Sequence, residues 1–228
     1  MITSIHQPSY FPWLGLLDKI KKSQQFIVLD NVQFSDGGFQ NRNNFMDNYI
    51  KEKILTIPIE KKDYFNKTIQ DIKISKNIWQ KKHNKFIFFN YKKHPYFDEV
   101  YPCIQKLFEK EYIYLIDVLL DSLEISLQLF SIKTTLLIAS DLTSNQDLTK
   151  ESLLIDILKK SNADIYLSGV GAKIYQKDEI FEANNISVIY QDFRHPKYNQ
   201  FKNENFIEGL SCLDTVFNLG ISQSSKLL

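Results

Sequence analysis

Residues 2–44 read ITSIHQPSYFPWLGLLDKIKKSQQFIVLDNVQFSDGGFQNRNN, and the order of apolar and polar segments in them indicates the fold. A short apolar run, Ile2–Ile5, precedes a polar turn bracketed by Pro8 and Pro12, after which apolar residues recur at helical spacing. A second apolar run ends in Asp30. This order predicts a strand, a loop, a helix and a second strand. Open α/β sheets bind ligands beyond the carboxyl ends of their strands, so the polar residues there are the first candidates for a site.

The same alternation returns in the C-terminal half of the chain. Apolar runs predict strands over 136–139, 163–167 and 187–192, and helical periodicity predicts a helix over 150–161. Strands alternating with helices indicate an α/β fold with a mostly parallel sheet of the Rossmann-like, nucleotidyltransferase-like type. We expect a single α/β domain over residues 1–228.

The middle of the chain has a different pattern. Alternating residues predict strands over 54–59 and 69–74. The segment 77–130 is rich in apolar residues at helical spacing, and it is interpreted as a helical insert or cap. Residues 206–219 predict a helix near the C-terminus.

Composition restricts the function. Hydrophobic residues make up 43% of the 228 residues, which favours an ordered core, and the net charge of +1 gives no reason to expect nucleic-acid binding. The sequence has no apolar run long enough to cross a membrane, so we expect a cytoplasmic protein without membrane insertion. The two cysteines, Cys103 and Cys212, stand in apolar surroundings and are expected to be core thiols.

The chain has four histidines as candidates for acid–base chemistry near neutral pH. His6 and His195 each follow a predicted strand and adjoin a proline-containing turn, so each either takes part in catalysis or shapes its turn. His83 lies four residues after Trp79 on one helix face, where the pair either lines a site or packs in the core. His94 precedes a proline, and a capping role is expected.

Two polar clusters are candidates for binding a ligand. Asn41, Arg42 and Asn43 suit an oxyanion or a sugar, although Arg42 alone is also compatible with a surface ion pair. Ser168 and Gly169 open a stretch whose backbone N–H groups could meet a phosphate. The sequence contains no pair of histidines four residues apart and no H-E-x-x-H motif, so no metal site is expected.

Several motifs together resemble the WbqC-like protein family. They are His6-Gln7-Pro8-Ser9-Tyr10-Phe11-Pro12-Trp13-Leu14-Gly15, Asp30-Asn31-Val32-Gln33-Phe34, Gln40-Asn41-Arg42-Asn43, Tyr166-Leu167-Ser168-Gly169, Gln191-Asp192 with His195-Pro196-Lys197-Tyr198, and Leu210-Ser211-Cys212-Leu213-Asp214. Members of this family typically lie among genes for O-antigen and other surface polysaccharides. The resemblance implies N-acyl or aminoacyl transfer to a nucleotide-linked amino sugar.

Within that interpretation, His6 or His195 is the expected general base. The substrate-binding residues expected are Gln7, Trp13, Asp30, Gln33, Asn41, Arg42, Asn43, Trp79, His83, Ser168 and Gly169. The expected partners are the nucleotide-linked sugar and an acyl or aminoacyl donor, and a homodimer is compatible with the sequence. The alternative is an accessory protein that binds the nucleotide sugar without catalysis.

The order of elements is also similar to the nucleotidyltransferase and pantothenate synthetase superfamily. There the first loop carries H-x-G-H, whose histidines hold nucleotide phosphates. Here the matching residues are Trp13-Leu14-Gly15-Leu16, which keep the glycine and lack both histidines. This similarity therefore does not imply that the protein uses ATP, and the sequence identifies no cofactor.

Overall fold

A computed structural model describes residues 1–75, 78–145 and 147–228. These residues form two compact units. Unit 1 comprises Met1–Gln7, Asp18–Asn31 and Lys133–Arg194, and unit 2 comprises Pro8–Leu17, Val32–Ile132 and His195–Leu228. A single domain with residues 77–130 as an insert or cap stays a prediction. Asn77, where that segment begins, lies outside the described residues.

The strands in the described chain are β1 (Ile2–His6), β2 (Gln25–Val28), β3 (Arg42–Met46), β4 (Glu52–Thr56), β5 (Thr135–Ile138), β6 (Ile165–Ser168) and β7 (Ser187–Tyr190). The α-helices are α1 (Leu14–Lys21), α2 (Trp79–Tyr91), α3 (Phe97–Glu109), α4 (Leu115–Leu129), α5 (Ala139–Leu142), α6 (Lys150–Lys160), α7 (Asp178–Glu182) and α8 (Cys212–Leu227). Short 3-10 helices lie at Tyr64–Asn66, Ile69–Asp71 and Val170–Ile174.

Unit 1 is built on a parallel sheet of five strands in the order β5-β2-β1-β6-β7. This confirms the α/β fold with a parallel sheet that the sequence predicts. In the register, Ile5 lies opposite Ile27 and Thr3 lies opposite Tyr166. Along the chain, β2 and then β5 are added on one side of β1, and β6 and then β7 are added on its other side. The order therefore reverses between β1 and β6, and a crevice forms at the carboxyl ends of such a pair.

Burial explains why these runs become inner strands. Phe26, Ile27 and Val28 of β2 are 0% exposed, as expected for a parallel strand covered on both faces. Each such side chain contributes roughly 1.5–3 kcal/mol when it is fully buried. The polar Ser4 of β1 is also buried, and its hydroxyl accepts a hydrogen bond of 2.7 Å from the hydroxyl of Ser23. The apolar runs and this polar pair together fix β1 beside the start of β2.

Unit 2 combines the antiparallel hairpin β3–β4 with helices α2, α3, α4 and α8. Helix α3 packs against α2, α4 and α8. Stacked aromatic rings hold this group together: the ring of Phe217 lies 4.8 Å from that of Tyr91 and 5.8 Å from that of Phe97. The segment predicted to be helical therefore forms three helices within this unit.

Two local predictions are wrong. The strand predicted over 69–74 is a 3-10 helix at Ile69–Asp71, followed by residues that form only isolated bridges in the described chain. The amide of Ile74 donates to Ile113 and the amide of Leu115 donates to Ile72, so this backbone pairs with the residues before α4 and belongs to neither sheet of the described residues. Cys103 is exposed, whereas Cys212 is buried.

No α-helix in the described ranges has the length and apolar content needed to span a membrane.

Candidate functional site

A cavity of about 420 Å³ lies at the carboxyl ends of β1 and β6, where the strand order reverses. All residues that line it belong to unit 1. Its polar lining includes four residues singled out from the sequence, and its apolar walls include Ile5, Leu29 and Leu154. The four sequence-predicted residues that the structure brings together here are His6, Gln7, Ser168 and Gly169.

His6 is the last residue of β1, and its side chain is exposed. The ring Nδ1 lies 2.7 Å from the backbone carbonyl oxygen of Gln7. Because a carbonyl oxygen can only accept a hydrogen bond, Nδ1 carries the proton and Nε2 has a free lone pair in the neutral ring. The Gln7 carbonyl therefore fixes the tautomer that a general base needs.

The surroundings keep His6 neutral at physiological pH. Although the ring is open to the cavity, enough protein surrounds it that loss of hydration lowers its pKa from 6.5 to about 4, and the charge of Lys19 contributes to the same shift. The hydrogen bond to Gln7 opposes the shift. At neutral pH the His6 ring is neutral and can accept a proton, but a pKa of about 4 makes it a weak base.

Lys19 lies in α1 and is a member of the site that the sequence interpretation missed. Its side chain is 3% exposed, and Nζ donates a hydrogen bond of 2.9 Å to the carbonyl oxygen of Ile5. Burial lowers the pKa of Lys19 from 10.5 to about 8. One feature of the sequence could have indicated that Lys19 is buried. The lysine stands among Leu16, Leu17 and Ile20, which are buried, and it interrupts the apolar pattern of the helix.

Ser168 ends β6 and is completely buried. Its hydroxyl donates to the side-chain oxygen of Gln176 at 2.9 Å, and the Gln176 amide donates to Asp178 at 2.8 Å. The hydroxyl proton of Ser168 thus points to an amide oxygen and not to a base. This hydrogen bond anchors the segment after Gly169, which forms one wall of the cavity.

The cavity has no acidic side chain among its lining residues in the described chain. Asp30, an acidic residue predicted to bind substrate, is not among them. It is buried and accepts hydrogen bonds of 3.0 and 2.6 Å from the backbone amide and hydroxyl of Ser140, so it anchors the start of α5. No cluster of three or more His, Cys, Asp or Glu that could hold a metal ion occurs within the described ranges. The electrostatic character of the cavity is therefore set by the cation of Lys19.

Trp79 and His83 lie in the core of unit 2. The hydroxyl of Tyr10 lies 3.1 Å from Nδ1 of His83, and the His83 ring also bonds to the backbone of Thr56. Burial lowers the pKa of His83 to about 4. Both side chains are therefore packed in the core of unit 2, and a part for them in ligand binding stays a prediction.

Residues 41–43, just before and at the start of β3, belong to unit 2, as does the loop between Pro8 and Pro12. Side chains of these residues form hydrogen bonds with the backbone of unit 2. The side-chain amide of Asn43 donates to the carbonyl oxygens of Tyr10 and Phe11, and that of Asn41 donates to Ile57. The guanidinium of Arg42 donates to the carbonyl oxygen of Gly37, and its Nε is buried without a hydrogen-bond partner. The side-chain amides of Asn41 and Asn43 thus bind backbone carbonyl groups, whereas Arg42 keeps one buried nitrogen without a partner.

The remaining predicted residues also belong to unit 2. The indole of Trp13 is 42% exposed. The side-chain amide of Gln33 donates to the carbonyl oxygen of Phe65. His195 is half-buried, with Nδ1 at 3.0 Å from the Pro196 carbonyl oxygen and its ring 5.4 Å from that of Phe206. His195 and His6 thus fall in different units.

Unit 2 has a cavity of its own, of about 400 Å³, beside the β3–β4 turn and the end of α2. Lys92, Lys93 and Lys202 line it together with aromatic rings. His94, for which a capping role is expected, also lines it, and none of its described lining residues is among the predicted catalytic or substrate-binding residues. The cavity of unit 1 differs because it lies at the strand ends of a parallel sheet and contains both a histidine and a buried lysine. We therefore take the unit 1 cavity as the candidate functional site.

Comparisons with known proteins give one family. A model of the WbqC-like protein family matches residues 7–226. The chain is also similar to the uncharacterised protein Rv1507c of Mycobacterium tuberculosis, with 27% identity over 223 residues that cover 95% of this chain and 93% of that protein. No solved structure matches the chain.

Proposed function

The chain belongs to the WbqC-like protein family, and from this premise we propose that it is a transferase acting on a nucleotide-linked amino sugar. The proposed reaction is N-acyl or aminoacyl transfer in the biosynthesis of O-antigen or another surface polysaccharide, and the proposed location is the cytoplasm. The reaction centre proposed is the cavity at the ends of β1 and β6.

The observation that carries the proposal is the hydrogen bond between His6 and the carbonyl of Gln7. It leaves Nε2 of a cavity-lining histidine ready to accept a proton. In the proposed step, the amine nitrogen of the sugar attacks the carbonyl carbon of an activated acyl donor and forms the new N–C bond. His6 takes the proton from that nitrogen and passes it to the leaving group, whose bond to the carbonyl carbon breaks.

Size and chemistry of the cavity support this use. A volume of about 420 Å³ falls within the range of small-molecule sites. Apolar walls next to Lys19, Gln7 and His6 suit a ligand that combines a polar, charged part with a sugar or acyl part. The contributions expected from Trp13, Arg42 and His195 stay predictions, and the proposal rests on the residues of unit 1.

A second function is a protein that binds the nucleotide sugar without catalysis. The low pKa of His6 favours it, because a base works best when its pKa lies near the working pH. This alternative predicts saturable binding of the nucleotide sugar and no product.

Incubating the purified protein with nucleotide-linked amino sugars and acyl-CoA, aminoacyl or formyl donors, with detection of products by mass, tests the proposal. We expect a product whose mass equals that of the acceptor plus the acyl group, minus the one hydrogen that the acyl group replaces on the amine nitrogen. His6→Gln is the test variant and His94→Gln, a histidine of unit 2, is the control. Normal binding of the acceptor with no product from any donor would favour the binding protein and reject the transferase.

A further inference from the structure

Lys19 of α1 is a buried cation with unused hydrogen-bonding capacity. An ammonium group has three donors, and the structure gives Nζ one hydrogen bond, to the carbonyl oxygen of Ile5. Its neighbour Asp18 is also buried, but the Asp18 carboxylate contacts Lys22 at 3.0 Å and accepts from Gln191 at 2.7 Å. Within the described ranges, no carboxylate forms an ion pair with Lys19.

A buried charge without a counter-ion is unfavourable. Removing an ammonium from water costs several kcal/mol unless an opposite charge and hydrogen bonds replace the lost hydration. Loss of hydration is the cause of the lowered pKa of Lys19, and no nearby acidic group offsets it. Since that pKa is about 8, most of the group is still protonated at neutral pH. An uncharged side chain of similar length would fill the same space without this penalty.

The residues that line the cavity indicate what kind of ligand would pair with the charge of Lys19. Lys19 lines the cavity together with the neutral polar groups of His6, Gln7 and Ser168, and no acidic residue lines it in the described chain. A site with this sign attracts an anion and repels a cation. The remaining walls are apolar or aromatic, including Tyr166 and Tyr175.

We propose that the ligand of this cavity carries an oxyanion, a phosphate or a carboxylate, that pairs with the ammonium of Lys19. The inference rests on the proposed function for the location of the site and adds the substrate class: a ligand with a negative charge next to the group that His6 serves. Charge-assisted hydrogen bonds to an oxyanion are about twice as strong as neutral ones. Lys19 thus binds the ligand, and His6 is the base.

The same pairing would affect His6. The positive charge of Lys19 is one cause of the low pKa of His6. An anion on Lys19 offsets that charge, so the pKa of His6 rises when the ligand binds. The histidine thereby becomes a stronger base only when the anionic ligand is present.

The test uses the full chain with inorganic phosphate and acetate as probes, followed by calorimetry and thermal unfolding. Lys19→Met removes the charge at similar length, and Lys19→Arg keeps it. Lys22→Met is the matched control, because Lys22 is an exposed lysine that follows the same helix. Separate titrations with the two probes distinguish a phosphate site from a carboxylate site.

We expect saturable binding of at least one probe to the wild type and to Lys22→Met, and binding weaker by about tenfold or more in Lys19→Met. We also expect the Tm of ligand-free Lys19→Met to rise, because the unpaired buried charge is gone. Equal binding by the wild type and Lys19→Met would overturn the inference, as would the absence of saturable binding of both probes by the folded wild type.

A second measurement keeps the inference testable if Lys19→Met does not fold. Titration of the His6 ring by NMR in the wild type, with and without the probe that binds, reports the charge next to it. A higher pKa with the probe supports the inference, and an unchanged pKa overturns it. If the protein binds the anion through Lys19 but catalyses no transfer, the proposed function alone is rejected. If the protein catalyses transfer but binds the anion equally well without Lys19, this inference alone is rejected.

Discussion

The side-chain amide of Asn43 donates to the backbone carbonyl oxygen of Phe11 at 2.7 Å, and Phe11 has a φ of 41°. Positive φ is uncommon for a bulky aromatic residue and persists only where the surroundings enforce it. The same amide reaches the carbonyl of Tyr10 at 3.0 Å. Asn43 therefore holds a strained turn in the polar loop that follows β1.

We predict that Asn43→Ala destabilises the protein by about 1–3 kcal/mol, because two buried carbonyl groups lose their donor. Chemical denaturation measures the change. Asn44→Ala is the matched control: its amide bonds to the exposed side chain of Glu52 at 3.3 Å, so the effect there should be small. Equal effects of the two variants would contradict the role given to Asn43.

Gly15→Ala is predicted to displace the indole of Trp13. A Cβ at Gly15 would meet ring atoms of Trp13 at 2.2, 2.4 and 2.6 Å, which is closer than such atoms approach in proteins. The ring must move, so we expect the tryptophan fluorescence to change. Because the indole is 42% exposed and can turn toward solvent, and because alanine favours the helix over glycine, the stability should change by no more than about 1 kcal/mol. The matched control is Gly171→Ala, where nothing lies within 4 Å of the added atom. Unchanged fluorescence in Gly15→Ala would contradict this packing.

Asp214 predicts a pH dependence of stability. The side chain is 0% exposed, and burial raises its pKa from 3.8 to about 6, while hydrogen bonds from Tyr198 and Gln200 oppose the rise. Because the folded state binds this proton more tightly than the unfolded state, the free energy of unfolding falls as the pH rises from about 4 to about 6. The contribution of this group is about 3 kcal/mol.

Replacing Asp214 by Asn removes this proton equilibrium. Denaturation at pH about 4.5 and about 7 should show the wild type losing stability relative to Asp214→Asn as the pH rises. Asp98→Asn is the control, because Asp98 also lies in the first turn of a helix but is exposed. Parallel pH profiles for the wild type and Asp214→Asn would contradict a raised pKa.

His6→Gln is predicted to lower the rate of the proposed transfer by about 100-fold or more, since it removes the general base, while the affinity for the acceptor changes little. Single-turnover kinetics and calorimetry separate the two effects. His195→Ala, measured in parallel, tests the second histidine that the sequence offers. A His6→Gln enzyme with the wild-type rate would exclude His6 as the base.

Much of the fold was predictable because apolar runs dominate inner parallel strands. Each of the five strands in the sheet of unit 1 falls on a run that the sequence identifies, and Phe26 to Val28 are typical of such runs. Strand β3 was missed because its residues, Arg42 to Met46, are mostly polar. Its pairing with β4 comes from long-range contacts, which no local pattern reveals.

The site was predictable only in part. Polar residues at strand ends led to His6, Gln7, Ser168 and Gly169, which share one cavity. Lys19 was missed because a lysine in a helix is usually a solvated residue, and its burial depends on the strand that it packs against. Asn41 and Asn43 have the side chains of a ligand site, but tertiary hydrogen bonds use their amides to hold loops.

Chemical-shift mapping by NMR of the isotope-labelled full chain, titrated with UDP- and dTDP-linked amino sugars, tests the proposal that the unit 1 cavity is where a nucleotide-linked amino sugar binds and reacts. We expect saturable shifts centred on His6, Gln7, Lys19 and the residues around Ser168. Shifts centred on the unit 2 cavity beside Lys92 and Lys202, with the His6 region unchanged, would contradict it.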